Sequence, residues 1–483
     1  MKKETNYDKI CRAFSERSKL LKIIFTVVFF AMSLLPAAAY LLGADTGNSE
    51  NNEPAHPPRL FAKDGLNEDF DSDFEKYFSE NFGFRQQLVT GLTAFDYYVL
   101  GTSAVDKVTA GRGNWLFLTE TLDDFDGSES CSERTVYRIA ETARLMDRYA
   151  QSKGSRFVFF CAPDKASVYP EYLPMHVKAC KATNLDRLSQ ELKAEAFYID
   201  VKKLFLELRS KNDTQYYYKF DSHWNNAGAI EVYRAVQNNI VSRYPDIGVP
   251  VEVSETDTVP MTHSGDLGRM LLPKGNLSEN DRGFIKKYKA LQPMNNLMAF
   301  RLMTEKADSE HSLYMFRDSF GNALIDLFSN NYAKTCYTRA VPYTLREAGE
   351  YDIIVLEKVE RELSSIVANV PDAPCTQCAA PLALSETGRT IAVQITDGES
   401  EIKVSGILPD EILLSARDNI YVCVSGQGGP IYFEAYPIAE GMPDNDRGFC
   451  AVIDKRAVSA GEFWGRICVG DFESAAVYDI SPT

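Results

Sequence analysis

Basic residues fall short of acidic ones. Lys and Arg number 52 against 68 Asp and Glu, a formal net charge of −16 over 483 residues. Phosphate backbones need a basic surface, so a general nucleic-acid binder is excluded and no nucleic-acid partner is expected. A second CxxC pair is missing. Cys375 and Cys378 form one such pair among ten cysteines. Four-cysteine zinc sites usually show two pairs, which leaves a loop disulfide or unpaired thiols. Histidine is scarce: His56, His176, His223, His263 and His311 are all there is. No metal site and no organic cofactor is indicated. Repeats of solenoid or propeller period are absent, as is any low-complexity tract longer than a linker. Apolar residues at 45% and charged ones at 25% are the balance of folded domains and exclude a disordered chain. The length implies two or three of them.

One long apolar run is present. Ile23 to Leu42 is 20 residues without a charge, enough to span a bilayer core as a helix. Residues 1–43 carry seven Lys and Arg against three acids, a local charge of +4 that leaves −20 for the remainder. Positive flanks stay cytoplasmic. The expectation is a single-pass cell-membrane anchor with a cytoplasmic N-terminus and an extracytoplasmic body. A cleaved signal peptide, with Ala37 to Ala39 as the small-residue site, is the rival reading and also places the body outside.

Beyond the anchor (1–43) comes a polar, Pro-rich linker (44–68). From 69 to 370 the pattern alternates. Helical stripes occur at 70–80, around Leu88, Leu92 and Phe95, at 136–150 with Gly154 as stop, at 184–195 and at 226–244. Strand-like runs occur at 156–162, 197–201, 313–316 and 352–357. This alternation predicts an α/β domain whose mostly parallel sheet is flanked by helices. After a Pro/Cys/Ala linker, six short β-like runs between 390 and 469 predict a β-sandwich-like domain over 380–483. It resembles a carbohydrate-binding module in architecture alone.

Two segments could carry chemistry. In Phe220-Asp-Ser-His-Trp-Asn-Asn226, Asp221 and His223 are two residues apart. In extended chain such a pair points to one side, so the carboxylate can orient the imidazole. On a helix it would diverge, so the reading requires the helix to start at Asn225 or Asn226, both capping types. By itself the pair is equally a solvated or capping group. In Tyr314-Met-Phe-Arg-Asp-Ser-Phe-Gly-Asn322, an apolar strand ends and Ser319 follows at a strand-to-helix turn. A serine there is exposed at the carboxyl edge of a parallel sheet, and a base such as His223 would activate it. By itself it is equally a helix cap.

Taken in order, GRGNWLFL, APDKASVYPEYLP, DSHWNNAGA, GDLGRMLL, RDSFGNALIDLF and DIIVLEKVER resemble the blocks of the AlgX/AlgJ-type SGNH-hydrolase-like proteins and the related DHHW proteins. The resemblance covers roughly 70–370. It implies an SGNH-hydrolase-like fold and transfer of acetyl groups to exopolysaccharide hydroxyls. Ser319 would be the nucleophile, His223 the base and Asp221 its orienting acid. A membrane-bound O-acyltransferase would supply the acyl donor. Arg317 stands where relatives often carry Gly, and either crowds the oxyanion position or adds charge near it. Asn322 and Asn225 are candidate oxyanion donors. Lys165 and Tyr169 follow a strand and could line the cleft. Trp115 and Trp224 either stack on sugars or pack in the core. Two other functions remain open: an acetyl-polysaccharide esterase with the same triad, and a catalytically weak polysaccharide-binding or assembly protein.

Overall fold

Arg156–Ala162 (β1) places six apolar residues in a row after its arginine, so both faces of the strand are apolar. Such a strand is stable only where both faces are covered. In the computed structural model it lies inside a seven-stranded sheet. The structure describes residues 19, 21–35, 38, 55–62, 65–67, 69–81, 84–247, 252–292, 299–426, 428–439, 446–458 and 465–482.

The other strands of the sheet are Tyr198–Ile199 (β2), Lys289–Ala290 (β3), Arg301–Glu305 (β4), Ser312–Phe316 (β5), Lys334–Thr338 (β6) and Ile353–Val359 (β7), in the order β2-β1-β7-β5-β6-β4-β3. The first five are parallel. β4 and β3 close one edge antiparallel. Met315 of β5 lies opposite Val355 of β7 and Tyr337 of β6. Alternate residues feed two cores. Val158, Phe160, Met315 and Val355 pack with Val232, Tyr233, Val236 and Ile240 of one helix. Phe157, Phe159, Tyr314 and Leu356 pack with Val136, Ile139, Ala143 and Met146 of another. These helices are Glu133–Ser152 (α1), which supplies the second core, and Asn226–Arg243 (α4), which supplies the first. Between them in sequence lie Asn184–Leu192 (α2) and Val201–Lys211 (α3).

The strand expected over 197–201 is cut to two residues. Asp200 accepts from the Lys203 N–H (2.9 Å) and so caps α3. β4 and β6 were not anticipated. Lys-Thr-Cys-Tyr-Thr reads as polar, yet Thr304 and Thr335 are buried and bond each other across the strands at 2.6 Å.

The C-terminal sheet has nine strands. Ala383–Asp397 holds it together: its first part runs parallel to Ser474–Pro482 and its end pairs antiparallel with Glu401–Ile407. Ile391, Val404, Val422, Phe433, Phe449 and Ile467 form its core. One of the six β-like runs, Pro430 to Tyr436, divides between two strands. The chain changes partner at Ala435, so Gly429–Glu434 pairs with Asn419–Gly426 while Tyr436–Ile438 pairs with Gly448–Asp454. Helix α1 serves both sheets. Arg134 donates to the carbonyls of Ser415 (3.0 Å) and Asp418 (2.8 Å), and Arg138 to that of Ile438 (2.9 Å). Arg148 pairs with the buried Glu434 at 2.6 Å.

Residues 1–110 with 266–277 form a separate unit. It contains helices Phe70–Asn81, Arg85–Phe95 and Asp266–Leu271, and Thr90 Oγ1 there accepts from the Lys274 N–H at 3.1 Å. Of the apolar run, 23–35 is helical, while 36, 37 and 39–42 lie outside the described residues. Among the described residues no helix is long and apolar enough to cross a membrane. Cys375 and Cys378 are free thiols.

Candidate active site

Strand β5 ends at Phe316, and the next three residues make a tight turn at the carboxyl edge of the parallel strands. Asp318 fixes it. Its Oδ1 accepts from the Phe320 N–H (2.9 Å), its Oδ2 from the Val359 N–H (2.7 Å), and its own N–H donates to Glu357 Oε2 (2.9 Å). Ser319 follows, directly before the 3₁₀ turn Phe320–Leu324. Residue 321 has to be glycine. A Cβ there would sit 2.7 Å from Arg317 Cβ and 2.9 Å from Glu357 Oε2, closer than packed atoms tolerate.

The histidine arrives from the loop before α4. Asn225 caps that helix by accepting from the Gly228 N–H (2.9 Å), so 221–223 lie outside it, as the Asp-x-His reading requires. The Asp221 carboxylate is 4% exposed. Its Oδ1 bonds His223 Nδ1 at 2.6 Å and accepts from the His223 N–H at 2.9 Å. His223 Nε2 lies 2.8 Å from Ser319 Oγ. On the other side, Asp221 Oδ2 bonds His263 Nε2 at 2.8 Å. Burial opposes ionisation of Asp221, but hydrogen bonds from the two imidazoles outweigh it and hold the carboxyl well below the usual carboxylate range. An anionic Asp221 keeps the His223 proton on Nδ1 and leaves Nε2 to accept from the serine. That is the arrangement of an activated nucleophile.

The other expected residues fall in two groups. Arg317 and Asn322 belong to the serine turn. The Arg317 guanidinium donates to Asn322 Oδ1 and to the carbonyls of Asp318 (3.2 Å) and Ala299 (3.3 Å). Burial, reinforced by Arg339, lowers its pKa to about 10. Lys165, Tyr169 and Trp224 support the loop from inside. Lys165 Nζ donates to the carbonyls of Tyr218 (3.1 Å), Lys219 (3.2 Å) and Asp221 (2.6 Å). The Tyr169 hydroxyl accepts from the Tyr216 N–H at 2.8 Å. Trp224 is 1% exposed and meets Phe320 edge-on at 5.0 Å. Neither ring has a face open to a sugar, and both belong to the core cluster. Trp115 is likewise buried, against Tyr172.

Sequence reasoning missed His263 and Glu357. His263 lies 42 residues from Asp221, just outside the GDLGRMLL block, and no spacing ties the two together. Glu357 left a trace, an acid closing the apolar run Asp352-Ile-Ile-Val-Leu-Glu357. Burial, and then the adjacent Asp318, push its carboxyl well above the usual range.

Residues 108–295 match the family model described as ALGX, the SGNH hydrolase-like domain of the acetyltransferase AlgX. This segment of the chain is similar to the AlgX-type SGNH-like domains. It contains β1, β2 and β3 together with Asp221, His223 and His263, and the serine strand β5 follows it in the same sheet. The chain is also 24% identical over 265 residues to a probable alginate O-acetylase AlgJ of Pseudomonas fluorescens, a match covering 54% of this chain and 63% of that protein. It thus spans less than two thirds of the length of that relative. Among solved structures, Bacillus cereus PatB1 aligns with 52% of this chain and 95% of its own (15% identity, TM-score 0.40). A DHHW family protein from Eubacterium siraeum aligns with 49% and 90% (15% identity, TM-score 0.36).

Proposed function

We propose that the protein is an O-acetyltransferase that esterifies hydroxyls of a cell-surface or secreted polysaccharide. One observation carries this reading: the unbroken hydrogen-bonded line from Asp221 through His223 to Ser319 at the carboxyl edge of the sheet. Ser319 Oγ attacks the acetyl carbonyl of the donor while His223 Nε2 takes its proton. Asp221 stabilises the imidazolium. The donor's leaving group departs with the proton, and acetyl-Ser319 remains. A sugar hydroxyl then attacks the ester, His223 removes its proton, and Ser319 regains it. The AlgX-type family match and the AlgJ relative support acetyl as the acyl group and polysaccharide as the acceptor. A cleft of about 450 Å³ beside the histidine loop, lined by Asn114, Gln215, Tyr218, Lys219, Phe220 and Asn280, supplies amide groups and ring edges of the kind that hold sugars.

The uncharged run 23–42 and its basic flank support membrane anchoring with the site outside the cytoplasm. A membrane-bound O-acyltransferase that carries acetyl groups across the bilayer is the partner this arrangement needs. The test uses the full chain in detergent, wild type beside Ser319→Ala, with a chromogenic acetyl ester and oligosaccharide acceptors. Wild type releases chromophore and yields acetylated sugar by mass spectrometry, and Ser319→Ala does neither. Chromophore release with acetate as the only product would make it an esterase. Equal background from both folded proteins would point to a binding protein.

A further inference from the structure

We infer that His263 is a positioning residue for the acyl-transfer site: it fixes the plane of the Asp221 carboxylate and, through it, the aim of His223 at Ser319. The inference rests on the reading of Ser319 and His223 as that site.

A carboxylate torsion is soft and roughly two-fold, so one partner on one oxygen leaves the plane poorly defined. Asp221 has partners on both oxygens. Oδ1 holds His223 Nδ1 at 2.6 Å, and Oδ2 holds His263 Nε2 at 2.8 Å. The two imidazoles do not compete for an oxygen, and both bonds are made at once.

His263 is itself held from several sides. It lies on Thr258–Ser264, opposite Glu279 of Ser278–Phe284 in an antiparallel hairpin. Its ring stacks on Tyr218 with centroids 4.0 Å apart and planes 14° from parallel. The Tyr218 hydroxyl donates to Asp281 of the same hairpin. Glu279 accepts from the Phe220 N–H at 2.9 Å, and Asp281 accepts from the Asn226 N–H at 3.1 Å. The hairpin therefore grips the loop at residues 218, 220, 221 and 226. Directly after its first strand, Gly265 passes so close that a Cβ would lie 1.9 Å from the Phe220 carbonyl oxygen. Nothing in this geometry puts His263 against Ser319, so its influence on the reaction passes through Asp221. Hydrogen-bond partners orient metal-ligating imidazoles in the same way, and their loss lowers activity; small misplacements of reacting groups are costly in general.

Two substitutions separate the hydrogen bond from the ring. His263→Phe keeps the stack on Tyr218 and removes the donor. His263→Gln places an amide N–H close to the former Nε2 and restores it. Full-length variants would be assayed with a chromogenic acetyl ester, with Ser319→Ala alongside and thermal unfolding as the folding control. The expected result is a fall in kcat of about 10–100-fold for His263→Phe, with KM unchanged and most of the rate recovered in His263→Gln. A rise in KM at constant kcat, or equal losses in both variants, would overturn it. A second readout does not depend on turnover. The low-field proton resonance of the His223 Nδ1–H···Asp221 bond should be lost or moved in His263→Phe and kept in His263→Gln. An unmoved resonance in His263→Phe overturns the inference whatever the rates. Full activity in Ser319→Ala would instead sink the acyl-transfer reading and leave the resonance test standing.

Discussion

Asp221 carries a charge where burial opposes one, and two imidazole hydrogen bonds keep it there. Its native pKa therefore lies below its unfolded one. Its contribution to stability is fully present above the unfolded value, near 4, and is lost as pH falls through the native value. Asp221→Asn removes that contribution. The gap in unfolding free energy between wild type and variant, measured in urea, should be widest near neutral pH and close below about pH 4. The same change should lower kcat by about three to four orders of magnitude, because a neutral amide no longer fixes the tautomer or stabilises the imidazolium. A gap that widens in acid would contradict the assignment of the charge.

Elements with a period were legible and elements made by partners were not. β1 was read over Arg156–Ala162 because its apolar residues run unbroken, and α4 because Ala229, Tyr233, Val236 and Ile240 recur on one face. The Asp-x-His pair and the serine turn were visible because each sits where a strand or loop meets a helix start. β6 was invisible because Thr335 bonds across to Thr304 of the neighbouring strand, which no local pattern records. The hairpin that carries His263 was missed for a related reason. Its strands alternate between half-buried and exposed residues without an apolar face, and its value lies in what Glu279, Asp281 and His263 touch elsewhere. Trp224 could be read from sequence as packing or stacking, and its burial against Phe205 and Phe320 decides for packing.

Across the molecule, the α/β sheet and the C-terminal sheet are joined by charges buried along α1. Burial, together with the nearby Glu141, pushes the Glu434 carboxyl up to about 8 against the pull of Arg148. Between the unfolded value of 4.5 and this one, the native state holds a proton that the unfolded state has released. Stability should therefore decline as pH rises through that window. Glu434→Gln should flatten the decline in a thermal-unfolding series. Glu360, also raised to about 8 by burial and by Asp164, should leave a remnant of the same sign. An unchanged slope would show that Glu434 is ionised in the native protein. The last strand of the seven-stranded sheet ends at Val359 and the nine-stranded sheet begins at Gln377, and the arginines of α1 bridge the two.

Acyl transfer through Ser319 requires an acetyl-Ser319 ester. The most direct test is to mix the full-length protein with an acetyl donor, quench in acid within the first turnover and map the peptides by mass spectrometry. One acetyl group is expected on the Ser319 peptide in wild type, absent in Ser319→Ala and strongly reduced in His223→Ala. Acetyl on another residue, or unchanged labelling of Ser319 in His223→Ala, would contradict this expectation.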